Sequence, residues 1–409
     1  MKNTKDGKNK QKYLIIFIVA VSYRIMIYLV SALIMAFGTA EVSLSLDSFL
    51  SNWSKWDANH YMKIATLGYK NAVEFCEACR DAKLATGISP SYMENGQHLM
   101  LVFFPLYSFV LRLVNICISD IRVAGILLSS VAYAGGCVNM YRLVKLDYSE
   151  KVAINSVILL SLFPYGFFLG GIMTEGLFFF ISASMLYYIR KHEWWKVILF
   201  GILATMTRMQ GALLVIPAVV ELLLVYQPYH AIKTRNFGDL KELVKRGFSL
   251  LLMFIGTGIY LFINWYVEGY PFTFMIYQKS HWYQGACFPT YTLSYVFNNA
   301  FSDMYNLQLK VSLWIPQAII FIFSVGILIY GIKKLRGFLM SYGIAYVLLT
   351  YSATWLLSAG RYMACGIPIF IGLALITEKR EWVKEVLMII FAILQTIYLF
   401  GFLNNMQIM

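Results

Sequence analysis

The chain has 409 residues, 59% hydrophobic, 17% aromatic and only 13% charged. Soluble domains carry about 25% charged residues, so this composition excludes a soluble enzyme, a disordered chain and a disulfide-stapled scaffold. The net charge of +13, from 34 Lys and Arg against 21 Asp and Glu, fits loops facing cytoplasm and anionic lipid rather than nucleic acid.

Residues 1–12 hold five lysines and precede an apolar run from Tyr13 to Phe37. That run is too long for a signal-peptide core, so it reads as an uncleaved first span with a cytoplasmic N-terminus. A polar stretch, 38–98, follows and is expected outside. If residues 99–118 crossed the membrane, the basic segments near Arg142 and Arg190 would also fall outside. If 99–118 lies in the outer leaflet, 22 of the 34 basic residues fall in 63 cytoplasmic residues, at 1–12, 142–151, 190–196, 227–247, 333–336 and 378–386. The positive-inside rule favours this second map.

It gives eleven spans, near 13–37, 122–143, 152–171, 175–190, 196–208, 211–226, 248–267, 311–332, 337–357, 363–377 and 387–405. The expected architecture is an all-α polytopic membrane protein in one integral-membrane domain. Residues 1–267 would form one module with an extracytoplasmic loop at 38–121; a second such loop, 268–310, leads to C-terminal helices in 311–409. No internal repeat or low-complexity tract is evident.

Charged residues beside membrane spans are costly and point to function. Asp57 and His60 fall in the first external loop, Glu175 at a tight turn, Arg208 and Gln210 at the next, Gln278 and His281 in the loop 268–310, and Arg361 with Tyr362 at the last. One external pocket accounts for them all.

The strongest local signal is Trp53-Ser54-Lys55-Trp56-Asp57-Ala58-Asn59-His60-Tyr61. On a helix Asp57, His60 and Tyr61 would share a face, with Trp53, Trp56 and His60 along an adjacent stripe. A carboxylate beside aromatics and an imidazole suits general-base chemistry on a sugar hydroxyl, although an interfacial helix anchored by its tryptophans gives the same pattern. Glu175 is either a site acid or a cap at a helix N-terminus. Arg208 and Arg361 either hold phosphate with a bidentate fork or snorkel to headgroups. Pro105 fits a helix start. Arg24 and Arg112 read as structural. Cys76 and Cys79 would suit a loop disulfide in an oxidising compartment. Neither they nor His98 have ligand spacing to another group, so no metal site is expected.

In order, Trp56-Asp57-Ala58-Asn59-His60-Tyr61, Phe103-Phe104-Pro105-Leu106, Phe163-Pro164 with Thr174-Glu175-Gly176-Leu177-Phe178, Thr207-Arg208-Met209-Gln210-Gly211, and Arg361-Tyr362 with Pro368 resemble the PIG-V family. Its members are the mannosyltransferases that add the second mannose of glycosylphosphatidylinositol, and their bacterial relatives. The segment from Pro271-Phe272 to Gln278 and Trp282 is similar more loosely. The likeness runs from about residue 53 to 370. It departs where Met-Thr-Glu replaces the commoner Tyr-Thr-Glu, and where Met-Gln follows Arg208.

The resemblance implies a GT-C fold, with membrane-parallel helices in the first external loop and an active site on the extracytoplasmic face. It implies an inverting transfer of a hexose, most simply mannose, from a polyprenyl-phosphate-sugar donor to a glycan or glycolipid acceptor, and an essential acid at Asp57. Arg208, Gln210, Arg361, Tyr362, Gln278, His281 and Trp56 would bind the donor's phosphate and sugar, and His60 and Glu175 would assist Asp57. A lipid phosphate is already a good leaving group, so no metal or cofactor is expected. The membrane would be the plasma membrane in a bacterium and the endoplasmic reticulum in a eukaryote. Membrane lipid is the other expected partner. The rival classes are a lipid transporter or flippase, which would want mid-membrane charges and repeats, and a non-catalytic member of a glycan-assembly complex.

Overall fold

The computed structural model describes the backbone of residues 2–38, 45–85 and 99–408, and their side chains except at 2–8, 73, 75–77, 79, 80, 82 and 84. The Cys76–Cys79 pairing and His98 lie outside the described residues. Those described form an α-helical membrane-embedded protein, with no β-structure beyond one bridge between Ala286 and Ala353.

In chain order the helices are α1 (Lys2–Gly38), α2 (Leu46–Trp53), α3 (Asp57–Ala85), α4 (Pro105–Cys117), α5 (Ile121–Lys145), α6 (Glu150–Leu162) and α7 (Thr174–Arg190). Then come α8 (Trp194–Thr207), α9 (Val215–Tyr226), α10 (Pro228–Lys233), α11 (Phe237–Leu250), α12 (Ile255–Glu268), α13 (Thr273–Trp282) and α14 (Pro289–Phe301). The last five are α15 (Ile315–Gly331), α16 (Gly337–Thr350), α17 (Ala359–Met363), α18 (Ile367–Thr377) and α19 (Glu381–Leu403). Among the described residues six helical stretches are long and apolar enough to cross a membrane: Asn9–Gly38, Ile121–Lys145, Met209–Lys233, Phe237–Glu268, Leu307–Gly331 and Glu381–Leu403. Pro105–Cys117, Trp194–Thr207, Gly337–Thr350 and Ile367–Thr377 are apolar but shorter.

Several expected spans differ in form. The span at 152–171 is broken: α6 stops at Leu162 and Phe163 turns extended (φ −50, ψ 139), as a residue before proline prefers. A 3₁₀ turn, Gly166–Gly170, then leads toward α7. The span at 337–357 ends at Thr350, and the residues after it bond to the segment 285–287 instead. Cys287 N–H donates to Ser352 O (3.0 Å) and Thr354 N–H to Gly285 O (2.9 Å). The basic segment 227–247 is helical, and α11 continues into α12.

The helices pack as membrane helices do, through small residues that let backbones approach. A Cβ on Gly136 of α5 would lie 2.4 Å from the ring of Phe179 on α7. The basic segments meet at one end. Asp147 accepts from Arg190 (2.7 and 2.8 Å) and Arg336 (2.7 Å), and Glu221 takes Arg190 (3.5 Å) and His192 (2.9 Å). Glu150 pairs with Lys12 (2.6 Å) and Glu381 pairs with Lys151.

The other end of α5 is tied to the first polar stretch, where Arg122 reaches Asp47 (2.8 Å) and Asp120 (2.8 Å). At about 1.5 Å per residue, the 25 residues of α5 separate these ends by about 37 Å, a bilayer's thickness. Helix α4 starts beside α3, where Ser108 Oγ donates to Tyr61 O (3.0 Å), and finishes just before α5 begins. Both its ends thus lie on the side of Asp47.

Candidate functional site

Four breaks in the helices meet at the end away from the basic cluster. Glu175 is in the first turn of α7, and about 22 Å of helix separates it from Arg190 in that cluster. Arg208 caps α8 in extended conformation (φ −159, ψ 156). Arg361 lies in the single turn of α17, and Asp57 opens α3.

Their side chains form an alternating chain of charge. Arg361 donates from Nη2 to Asp57 Oδ2 (2.6 Å) and from Nε to Glu175 Oε1 (2.5 Å). Arg208 Nη1 donates to that same Glu175 oxygen (2.9 Å). Two carboxylates balance two guanidiniums, so the cluster carries no net charge and tolerates burial. Glu175 is fully buried and both arginine side chains nearly so, whereas the Asp57 side chain remains 28% exposed. Asp57 is therefore the member open to an incoming molecule. Glu175 Oε2 is buried with no hydrogen-bond partner, which leaves an acceptor unused beside two cations.

Rings fix the arginines from behind. Arg208 lies over Tyr362 (4.8 Å) and Phe178 (5.8 Å), and Arg361 over Phe168 (5.7 Å). Such contacts are worth about 0.5–2 kcal/mol and hold the planar fork in orientation. The thiol of Cys365 donates to the Glu175 carbonyl (3.5 Å). Gly211 allows the turn after Arg208 to fold back on α8, since a Cβ there would lie 2.1 Å from Ala204 O.

Asp57, His60 and Tyr61 share the first turn of α3, as their spacing predicts. His60 stacks on Phe103 (4.5 Å, 20° between planes), and Tyr61 meets Phe103 (5.1 Å) and Tyr107 (5.2 Å) edge-on. The Nδ1 of His60 is buried without a partner. Burial, partly offset by Asp57, lowers the imidazole pKa to about 4, so it is neutral at pH 7. Burial pushes the Asp57 carboxyl up, but the charge and hydrogen bond of Arg361 outweigh it and hold Asp57 below the usual carboxylate range.

The stripe expected from Trp53, Trp56 and His60 does not form on one helix. Helix α2 ends at Trp53, and Trp56 takes a left-handed conformation (φ 54) that breaks the register before α3. The indole of Trp56 turns to Phe402 (5.1 Å). Gln278 and His281 do not enter the charged chain either. Gln278 Nε2 donates to Gln284 Oε1 (3.1 Å), and His281 stacks with Tyr277 (6.2 Å). Their helix α13 reaches the site through Trp282, whose ring meets Phe103 (6.1 Å), and through Phe274, which packs on Tyr260 (5.1 Å) and lines a cleft beside Arg208. Gln210 is buried in the turn directly after Arg208.

Sequence reasoning missed Phe168, which had no polar signal, and Lys55, whose partners lie more than 340 residues away. It also missed a cleft of about 110 Å³ whose mostly apolar lining includes Phe104, Thr205, Met209, Tyr260 and Phe274 together with Arg208. Among the described residues no three His, Cys, Asp or Glu side chains are grouped to hold a metal ion. No protein-family model and no curated protein matches the chain.

Proposed function

We propose that the protein is a GT-C-type glycosyltransferase of PIG-V character with about eleven membrane passages. It would move a hexose, most simply mannose, from a polyprenyl-phosphate carrier to a glycan or glycolipid acceptor on the extracytoplasmic face. The observation that carries the reading is the chain Asp57–Arg361–Glu175–Arg208. It joins a partly exposed carboxylate to two guanidiniums suited to a phosphate. It sits at the end opposite the Asp147 and Glu150 ion pairs, which the positive-inside rule assigns to the cytoplasm.

The acceptor hydroxyl oxygen attacks the sugar C1 as its proton passes to Asp57. The bond from C1 to the phosphate oxygen breaks, C1 passes through oxocarbenium character, and the anomeric configuration inverts. The bond's electron pair leaves on the lipid monophosphate, whose charge Arg361 and Arg208 neutralise. Arg361 holds Asp57 in the structure, which weakens it as a base. A phosphate oxygen arriving at Arg361 competes with that carboxylate, frees it and raises its basicity as the reaction requires. The unpartnered Glu175 Oε2 would accept from a sugar hydroxyl, His60 Nδ1 would accept or donate according to its tautomer, and the cleft beside Arg208 would admit the start of an apolar chain.

The Asp57→Asn variant separates this from a flippase. A transferase variant loses turnover but still binds radiolabelled polyprenyl-phosphate-mannose in detergent. Lipid movement across proteoliposomes that is carried by wild type and kept by Asp57→Asn, with no sugar transferred, would instead identify a transporter.

A further inference from the structure

We infer that Lys55 and Phe402 are positioning residues that hold Asp57 in place from the end of α19. The inference rests on the reading of Asp57 as the reacting base. Lys55 lies in the three-residue link between α2 and α3, and its Nζ donates to the carbonyls of Phe402 (3.3 Å) and Leu403 (2.9 Å). These are among the last carbonyls of α19 and carry the negative end of its dipole; Phe402 O also accepts from Asn405 N–H (3.2 Å). A lysine there adds a charged donor to both carbonyls and ties residue 55 to the end of α19.

The link it anchors is strained. Trp56 adopts a left-handed backbone (φ 54) that a bulky residue takes only when its surroundings impose it. That residue directly precedes Asp57, so its conformation sets where α3 begins and where the carboxylate points. Phe402 supplies the constraint. It is buried, and its ring meets Trp56 (5.1 Å) and Trp53 (5.7 Å) on one side and Phe167 (5.5 Å) and Phe168 (5.6 Å) on the other. Phe168 in turn backs Arg361. One side chain from the end of α19 thus contacts the residue before Asp57 and the ring behind its cationic partner.

The turn after α19 is itself closed. Met406 N–H donates to Gly401 O (2.9 Å), Asn405 is left-handed (φ 58) and Ile408 is buried. A Cβ on Gly401 would lie 2.2 Å from Ile408 Cδ1, so the chain folds tightly against the helix end. This closure fixes Phe402 and Leu403 as a rigid platform for Lys55.

The test compares full-length wild type, Lys55→Met, Lys55→Arg and Phe402→Leu in detergent. Amide exchange is read over 54–58, and kcat and KM with polyprenyl-phosphate-mannose. Positioning predicts that Lys55→Met and Phe402→Leu exchange at least ~10-fold faster in that segment. It also predicts a kcat at least ~10-fold lower with donor KM little changed, and Lys55→Arg close to wild type in both. Wild type that transfers sugar, together with variants whose exchange and kcat match it, overturns the inference alone. No transfer by wild type from any polyprenyl-phosphate hexose overturns the functional reading, and the inference with it. A thermal unfolding curve for each variant shows that it is folded when compared.

Discussion

Arg361 donates to Asp57 across 2.6 Å although 304 residues separate them in sequence. The same guanidinium reaches Glu175, so one side chain joins the first polar segment, the start of α7 and the single turn of α17. An arginine can do this because its fork presents separate donors in a fixed plane; a lysine ammonium could hold one partner but not set the angle to the other. The three expected external segments are therefore coupled through one planar group.

The two acids of this cluster differ in what they support. Glu175 is fully buried and neutralises two guanidiniums, so Glu175→Gln leaves two buried cations short of charge and should cost about 3–5 kcal/mol. Asp57 is more open and meets one arginine, so Asp57→Asn should cost about 1 kcal/mol while removing transfer. Chemical denaturation of both variants in detergent checks the contrast. Equal losses of stability would contradict it.

His60 gives a signed dependence on pH. Its folded pKa of about 4 lies below the ordinary 6.5, so between these values the unfolded chain binds the proton and the folded one does not. Stability from this group is fully present above pH 6.5 and is lost as pH falls to about 4, on the order of 3 kcal/mol in all. His60→Phe should lose less stability over that window than wild type. Parallel pH profiles of the melting temperature would show that His60 is not buried in its neutral form.

Gly211 should tolerate no side chain. A methyl group would meet the Ala204 carbonyl, a backbone atom of α8 that cannot swing aside. Gly211→Ala is expected to cost about 1–3 kcal/mol and to displace Arg208, raising the KM for donor. Kinetics indistinguishable from wild type would mean that the turn can move without carrying Arg208.

Asp147 tests the other end of the molecule. Its side chain is only 4% exposed and holds Arg190 and Arg336. Asp147→Asn should destabilise by about 3 kcal/mol through those two cations, yet leave kcat and KM of the remaining folded protein within about 2-fold. A selective loss of kcat would show that the two ends communicate.

The site was legible in sequence wherever a charge interrupted an apolar run. Glu175, Arg208 and Arg361 each stand at such a point, and a costly charge needs a partner even when its sequence neighbours offer none; Asp57, in a polar stretch, is marked instead by its aromatic and histidine neighbours. The first turn of α3 was legible from its i, i+3, i+4 spacing. The left-handed Trp56 was not, because its conformation is imposed by Phe402 from the far end of the chain. Gln278 and His281 misled for a related reason: their polarity marks an exposed helix, and the aromatic residues Trp282 and Phe274 carry that helix to the site. Pro164 is the residue that breaks the span expected at 152–171, and the total hydropathy of the segment does not reveal it.

The most direct measurement is hexose transfer by the purified full-length protein from synthetic polyprenyl-phosphate-mannose to membrane glycolipids, wild type against Asp57→Asn. The account predicts a mannosylated lipid product with wild type and a loss of at least ~100-fold with Asp57→Asn, donor binding being retained. Absence of transfer from mannose, glucose and arabinose carriers, with the donor lipid also unbound, would contradict it.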